Sequence, residues 1–233
     1  MNAPANIRGV RYHADLEQGS DEWLQARCGL LTASEMKLIL TPTLKVANND
    51  KTRAHAYELA FQRITGFVEP QYVSDAMLRG QGDEILARWE YGQHFAPVAT
   101  TGFITNDRWG FTIGYSPDGL VGDDGLIECK SRCGKYQGQT FAECAVPDEY
   151  VLQLQTALLV SGRQWIDFVS YCGGLPVFVQ RVEPDAEVQA AVVEAATAFE
   201  ERVAEIVQQY EVGVQSMPIK IATERRDHSD III

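Results

Sequence analysis

The stretch SPDGLVGDDGLIECKS, residues 116–131, decides both the predicted fold and the predicted chemistry of the chain. Its apolar runs on either side of an acidic, glycine-flanked turn predict two short strands. Asp118 and Glu128 place two carboxylates ten positions apart, and Lys130 follows two positions later. Carboxylate oxygens are ligands that Mg²⁺ prefers, and a lysine beside them can orient or deprotonate a water molecule. The stretch therefore predicts a hairpin that carries a magnesium site.

The length of the turn decides whether the two carboxylates lie on the same side of the hairpin. Successive strand residues point to opposite faces, so Glu128 and Lys130 share one face while Cys129 lies on the other, which we expect to be the core side. A two-residue turn would set Asp118 opposite Cys129, on the wrong face. A three-residue loop with Gly125 in the left-handed conformation would pair Asp118 with Lys130. The metal hypothesis requires that loop, or a bulge near Asp118.

The same residues also fit an ordinary acidic hairpin with a Glu–Lys pair, because such short patterns are common. The apolar residues around Glu128 favour the interpretation as a metal site, since an unpaired carboxylate within an apolar strand is unfavourable. Glu84, in a helix that precedes the sheet, can supply a third carboxylate, although a helical glutamate is ordinarily solvated. Asp107 precedes the strand that leads to Asp118 and is more typical of a turn residue.

A second group of residues predicts an anion-binding site. Residues 32–35, TASE, have the spacing of a capping box, which places Ser34 in the first turn of a helix. Free backbone N–H groups in such a turn suit a phosphate, and Arg27 lies just upstream as a forked donor. Ser116 and Gln153 can add neutral donors. A capped helix beside a surface arginine is the simpler interpretation of the same residues.

The remaining pattern predicts an α/β (α+β) fold, in which a central mixed β-sheet is flanked by helices. Ser20 caps a short helix, and further helices are predicted at about 51–65, 74–95, 147–160 and, long and amphipathic, 185–211. Strands are expected at 100–105, 110–115, 119–122, 125–131, 165–171 and 177–182. We expect one domain, 1–233, with the motifs in 18–171. The tail, 215–233, ends in Ile231–Ile233, which suggests docking.

Composition limits the class of protein. The 233 residues are 45% hydrophobic, which suits one sizeable core. The formal net charge of −12 argues against a general nucleic-acid binder. A bound metal reverses the sign of the local charge, so the composition is still compatible with an enzyme that has a local basic groove. Without a membrane-length apolar run or a signal peptide in residues 1–10, we expect a cytosolic protein. Five cysteines without framework spacing predict reduced thiols.

Six segments, taken in order, are similar to one known family. They are QGSDEWL at 18–24 with Arg27 behind it, LTAS at 31–34, GDE at 82–84, SPDGL at 116–120, ECK at 128–130 and YVLQLQ at 150–155. Together they resemble the lambda exonuclease family, also called the YqaJ-like viral recombinases, of the restriction-endonuclease-like superfamily. The resemblance covers about residues 18–171 and implies a restriction-endonuclease-like core.

The resemblance implies processive 5′→3′ degradation of one strand of linear double-stranded DNA, which leaves 3′ single-stranded tails for annealing-type recombination. It implies Mg²⁺ as the cofactor, with Mn²⁺ as a substitute and about two ions per site. Asp118 and Glu128 match the family's metal ligands, together with the backbone carbonyl of Cys129. Lys130 matches the catalytic lysine, and Glu84 matches a further active-site carboxylate.

The resemblance also implies an end-binding pocket and an assembly. Arg27, Ser34, Ser116 and Gln153 match residues that hold the 5′-phosphate of DNA. Asp107 is the candidate for a further aspartate upstream of the Ser-Pro-Asp motif. A homotrimeric ring around a DNA channel is implied, in which only the channel need be basic. A single-strand annealing protein is the expected partner.

Two other functions stay open at the level of sequence. An endonuclease or repair nuclease of the same superfamily can carry a four-cysteine iron–sulfur cluster, for which the cysteines supply candidates. A non-catalytic DNA-end-binding module is the other, although the intact set of Asp118, Glu128 and Lys130 argues against it.

Overall fold

The computed structural model describes residues 8–70 and 74–225. The α-helices are α1 (Asp21–Arg27), α2 (Asp50–Thr65), α3 (Asp75–His94), α4 (Gly134–Glu143), α5 (Asp148–Ser161) and α6 (Ala186–Ser216), and a 3₁₀ helix spans Ala33–Leu38. The strands are β1 (Val10–His13), β2 (Leu31–Thr32), β3 (Val98–Ala99), β4 (Phe103–Asn106), β5 (Ile113–Tyr115), β6 (Gly119–Val121), β7 (Gly125–Ser131), β8 (Trp165–Tyr171) and β9 (Phe178–Val182). The predicted docking segment Ile231–Ile233 lies outside the described residues.

The strands form two mixed sheets, in the orders β1-β4-β5-β2 and β3-β6-β7-β8-β9. Pairing is parallel between β2 and β5 and between β7 and β8, and antiparallel elsewhere. The predicted class, a mixed sheet flanked by helices, is therefore confirmed, with the strands divided between two sheets. The division places the Asp118–Glu128 hairpin in the five-stranded sheet and the segment before Ser116 in the other.

Local signals start and stop the helices as predicted. The Ser20 hydroxyl accepts a hydrogen bond from the Trp23 amide (3.2 Å) at the start of α1. Gly66 and Gly162 end α2 and α5 in the left-handed conformation, with φ of 62° and 69°. The segment that begins at Thr32 is a six-residue 3₁₀ helix rather than the expected α-helix. Among the described helices, none combines the length and apolar character needed to cross a membrane.

Several elements were not predicted because they lack a strong apolar period. The strands β1, β2 and β3 are two to four residues long. The helix α4 contains Gly134 and Gly138, which weaken helix propensity, and its buried residues, Gln137 and Thr140, are polar. The helix α6 also continues to Ser216, beyond the predicted end at 211.

The helix α5 is the central helix of the molecule, with nine of its 14 residues buried, and it packs against β4, β5, β8 and α6. The helix α3 covers the opposite face of the five-stranded sheet, where Ile127 and Cys129 pack with Ala87 and Tyr91. The strand β7 is therefore buried on both faces. The expectation that only the Cys129 face is the core side is wrong, because Glu128 on the other face is 2% exposed.

The β6–β7 hairpin has a register that the sequence did not predict. Gly119 pairs with Ile127, and Val121 pairs with Gly125, which leaves residues 122–124 as a three-residue turn. Gly122, with φ of 54°, takes the left-handed conformation, so the prediction that Gly125 takes it is wrong. Extending this register by one position sets Asp118 opposite Glu128, rather than opposite Cys129 or Lys130.

The hairpin depends on the absence of a side chain at Gly125. A Cβ atom there would lie 2.2 Å from two ring carbons of Trp165, whose ring also has the Arg181 guanidinium 3.5 Å from its centroid. We expect Gly125→Ala to lower the free energy of unfolding by about 1–3 kcal/mol through overpacking, measured by urea denaturation. Gly138→Ala, in α4, is the control and should be neutral or stabilising, because a Cβ atom there would meet nothing within 4 Å apart from its chain neighbours and the adjacent backbone of its own helix. Equal stability of the two variants would contradict this packing argument.

Candidate active site

Glu128 is the buried centre of the candidate site. Its Oε2 accepts a hydrogen bond from the Tyr115 hydroxyl (2.9 Å), and its Oε1 accepts hydrogen bonds from Lys130 Nζ (2.7 Å) and from the side-chain amide of Gln153. The side chain of Glu128 is 2% exposed, and that of Lys130 is 23% exposed. A buried carboxylate needs such partners, because an unpaired charge in the interior is strongly unfavourable. The strand β7, the strand β5 and the helix α5 each contribute to its surroundings.

Asp118 lies beside Glu128 and is 7% exposed. Its Oδ2 accepts a hydrogen bond from the backbone N–H of Cys129 (2.6 Å), and its own carbonyl accepts one from Arg88 Nη1 (2.8 Å). Burial raises the pKa of Asp118 well above its ordinary value, and the charges of Glu128 and then Glu84 raise it further. The carboxylates are thus close enough to repel one another, and the turn at residues 122–124, rather than the predicted loop at Gly125, brings Asp118 opposite Glu128.

Lys130 is held by the same acidic pair. Burial alone would lower the pKa of Lys130, but the charges of Glu128 and Asp118 outweigh it and hold the pKa above its ordinary value. The ammonium group therefore keeps its proton while it pairs with Glu128. In this state Lys130 is a hydrogen-bond donor.

Glu84 approaches from α3 as the sequence predicted. Its carboxylate lies 3.8 Å from Arg88 Nη1, one turn further along the same helix. Burial raises the pKa of Glu84; Arg88 opposes this shift, and the charge of Glu128 adds to it. The side chain of Glu84 is 30% exposed, so it lies at the rim of the buried pair.

The residues present fit a hard cation, although they do not form a complete side-chain cage. Asp118 and Glu128 supply carboxylate oxygens, and a cation would relieve the repulsion that raises the pKa of Asp118. Within residues 8–70 and 74–225, no group of three or more His, Cys, Asp or Glu residues converges as a metal site. The metal, and the role of the Cys129 carbonyl in holding it, therefore stay predictions.

The same finding bears on the iron–sulfur alternative. All five cysteines are free thiols within the described residues: Cys28, Cys129, Cys133, Cys144 and Cys172. Because the described residues contain no metal-holding group of cysteines, their geometry gives the cluster no support. Burial raises the pKa of the Cys129 thiol well above its ordinary value, and Asp118 and Glu128 add to the shift, as expected for an unreactive core thiol.

Three of the four predicted phosphate ligands lie together. Arg27 Nη1 donates a hydrogen bond to the Ser116 hydroxyl (2.9 Å). The parallel pairing of β2 with β5, in which Thr32 lies beside Gly114, brings the segments that carry Ser34 and Ser116 side by side. Ser34 is exposed, so its hydroxyl is open to solvent. These three residues form one polar patch at the ends of β2 and β5.

Two predicted residues lie elsewhere. Gln153 donates to Glu128 rather than to the patch around Ser116, so it connects the carboxylate to α5. Asp107 follows β4 at the end distant from Tyr115, because Asn106 pairs with Ile113 and Ile104 pairs with Tyr115. Its exposed carboxylate accepts a hydrogen bond from Arg11 Nη2 (3.2 Å), as a surface ion pair. The structure does not bring Asp107 to the carboxylate pair.

Three residues of the site were not singled out from the sequence. Trp23 donates from Nε1 to the Ser116 hydroxyl (3.1 Å), and its ring lies 4.3 Å from the Arg27 guanidinium. Tyr115 donates to the Glu128 carboxylate, and Arg88 donates to the backbone carbonyl of Asp118. Two of the three could have been found from the sequence. Trp23 lies four positions before Arg27, and Arg88 lies four positions after Glu84, and residues with this spacing share a helix face.

Two well-formed concavities lie away from the site. These concavities, of about 470 and 390 Å³, lie along α2, and their linings include neither carboxylate of the pair nor Lys130. We therefore locate the site by its buried charges rather than by a cavity.

Known proteins share both the sequence pattern and the architecture. The model of the YqaJ-like viral recombinase domain matches residues 22–164. An alkaline exonuclease from Laribacter hongkongensis superposes with a TM-score of 0.69 at 32% sequence identity, covering 83% of this chain and 99% of that chain. A second structure of that exonuclease, in complex with dAMP, gives the same values.

A more distant structure shares the fold alone. A phage-related exonuclease from Haemophilus somnus 129PT has a TM-score of 0.59 at 12% identity, covering 78% of this chain and 96% of that chain. No curated protein matches the chain. The comparisons confirm the predicted α/β class with its restriction-endonuclease-like core.

The raised pKa of Asp118 predicts how stability of the metal-free protein depends on pH. Well below pH 4, Asp118 is protonated in both folded and unfolded states and does not oppose folding, and near pH 4 its effect is still small. As the pH rises, the unfolded chain releases this proton first, so the folded state loses stability. In EDTA we expect Asp118→Asn to unfold at a higher temperature than wild type at about pH 8 and at a similar temperature at about pH 4.

Asp107→Asn is the matched control for this experiment. Asp107 is exposed, so its substitution should change stability by about 0.5 kcal/mol or less at either pH. A wild-type protein that is more stable than Asp118→Asn at about pH 8 without metal would contradict the assignment of a repelling buried pair.

Proposed function

The chain belongs to the YqaJ-like viral recombinase domain family, and from this premise we propose that it is a Mg²⁺-dependent 5′→3′ exonuclease of double-stranded DNA. The observation that carries the proposal is the buried Asp118–Glu128 pair with Lys130 bound to it. The reaction proposed is hydrolysis of a phosphodiester bond. The similarity to an exonuclease at 32% identity supports the same reaction class.

The chain's own residues supply positioning and charge. A Mg²⁺ ion held by Asp118 and Glu128 would stabilise the negative charge that develops on the attacking and leaving oxygens. Lys130 keeps its proton beside Glu128, so we propose that it donates a hydrogen bond to the attacking water or to a phosphate oxygen. Tyr115 and Gln153 hold Glu128 in one orientation, which keeps its oxygens directed at the site.

The patch of Arg27, Ser34 and Ser116 supports a reaction that begins at a 5′ end. We propose that it binds the 5′-phosphate, with the Arg27 guanidinium as the charged donor. Cleavage of the bond to the 3′ oxygen of the terminal nucleotide releases a mononucleotide and leaves a new 5′-phosphate on the strand. The dAMP complex of the Laribacter enzyme supports a mononucleotide as product. Repetition leaves the other strand as a 3′ tail for an annealing protein.

We further propose that the protein works as a homotrimeric ring. A ring reconciles the net charge of −12 with DNA binding, because only the surface of the channel need be basic. The helix α3 supports a subunit contact, since it leaves large apolar side chains at least 49% exposed: Met77, Leu78, Ile85, Leu86 and Trp89. The proposed location is the cytosol.

The proposal is tested by following each strand of a linear duplex separately. The duplex carries a 5′-phosphate on one strand, and digestion is run with Mg²⁺ or EDTA. We expect loss of the phosphorylated strand only with Mg²⁺. We expect Lys130→Met to slow the reaction by about 10²–10⁴-fold, the usual contribution of a positioned proton donor or acceptor. The control Lys135→Met, an exposed lysine in α4, should keep the wild-type rate.

Other outcomes identify the alternatives. Cutting of closed circular DNA would favour an endonuclease. Binding to DNA ends without loss of either strand would favour the end-binding module.

A further inference from the structure

His55 is a buried histidine whose surroundings the proposed reaction does not explain. It lies in α2, is 3% exposed, and stacks on Phe199 with ring centroids 5.4 Å apart. Its Nδ1 is 3.1 Å from Glu58 Oε2, and its Nε2 is 3.8 Å from Glu35 Oε2. Among the described residues Nε2 has no hydrogen-bond partner. Buried polar atoms ordinarily have a hydrogen-bond partner, so the position of Nε2 near Glu35 needs an explanation.

Glu35 connects His55 to the proposed phosphate patch. Its Oε2 accepts hydrogen bonds from the Thr32 backbone N–H (2.8 Å) and the Thr32 hydroxyl (2.7 Å). That hydroxyl lies 3.3 Å from the Ser34 hydroxyl. One carboxylate oxygen therefore faces His55 on one side and, on the other, the turn that carries Ser34.

The position of Glu35 creates an electrostatic conflict for a phosphate ligand. Burial lowers the pKa of the Arg27 guanidinium, and the charge of Glu35 opposes this shift, so Glu35 is close enough to act on the patch. A carboxylate that acts on Arg27 also repels an incoming phosphate. His55, with Nε2 directed at Glu35, packs behind that carboxylate and would keep it against Thr32, away from the phosphate.

We propose that His55 is a positioning residue for the 5′-phosphate end of DNA, acting through Glu35 on the turn that carries Ser34. The inference rests on the proposed function, because it assumes that Arg27 and Ser34 bind the phosphate. His55 touches neither DNA nor the reacting atoms. Its effect is to set the position of Glu35 at the edge of the patch.

The test is a double-mutant cycle between His55→Gln and Glu35→Gln in the full chain, with kcat and KM measured on duplexes that carry 5′-phosphate or 5′-hydroxyl ends. We expect His55→Gln to raise KM for phosphorylated ends by roughly tenfold, the effect expected if the displaced turn loses one hydrogen bond to the phosphate. The kcat and the KM for hydroxyl ends should stay nearly unchanged. Glutamine at position 35 keeps the capping bonds without the charge, so in that background His55→Gln should have no further effect.

A second variant keeps the test decisive if His55→Gln does not fold. Glu35→Ala removes the carboxylate through which His55 acts and should also raise KM for phosphorylated ends, whereas Glu35→Gln should not. His94→Gln is the matched control, because His94 is exposed and lies 3.5 Å from Glu90, away from Thr32. It should leave both substrates unaffected.

The response of wild type to the two kinds of DNA end separates the phosphate patch from the role of His55. A wild-type protein that does not distinguish phosphorylated from hydroxyl ends would overturn the phosphate patch and this inference together. A wild-type preference that survives His55→Gln, or a loss of equal size in both Glu35 backgrounds, would overturn the role of His55 alone.

Discussion

Burial of two carboxylates side by side is the constraint on which the rest of the structure depends. Asp118 and Glu128 are almost inaccessible to water, and each charge opposes the other. Such a pair persists only if its oxygens have partners, and the chain supplies them from separate elements. Tyr115 comes from β5, Gln153 from α5 and Lys130 from β7 itself. The fold therefore holds an acidic centre that a cation would stabilise.

The division of the strands into two sheets explains how one small region combines different tasks. The five-stranded sheet holds the acidic pair, while β2 and β5 of the other sheet end at the patch of Ser34 and Ser116. Tyr115 and Ser116 are neighbours in sequence, so one contacts Glu128 and the next contacts Arg27. This adjacency fixes the distance between the proposed metal site and the proposed end-binding patch. A fixed distance suits a reaction that counts one nucleotide from an end.

Much of the architecture could be predicted from the sequence, and the failures have physical causes. The strands β7 and β8 have the predicted bounds, because a strand buried on both faces forms one continuous run. The predicted hairpin register was wrong because Gly122 and Gly125 flank the turn, and the sequence does not decide which of them takes the left-handed conformation. Arg88 and Tyr115 were missed because their partners, Asp118 and Glu128, lie 30 and 13 positions away in the sequence and meet them only in the folded chain. Asp107 was a weak candidate from its position before the strand and from the resemblance, and a turn hydrogen bond from Gly110 and a surface ion pair with Arg11 account for it.

The most direct test of the account is the thermal stability of wild type and Glu128→Gln as Mg²⁺ is added from an EDTA baseline at constant pH. A ligand that binds only the folded state stabilises it by about 2.7 kcal/mol at a concentration of roughly 100 Kd. We predict that the unfolding temperature of wild type rises with Mg²⁺, while that of Glu128→Gln stays level. An equal rise in both proteins, or no rise in wild type, would contradict the claim that the buried acidic pair is a cation site.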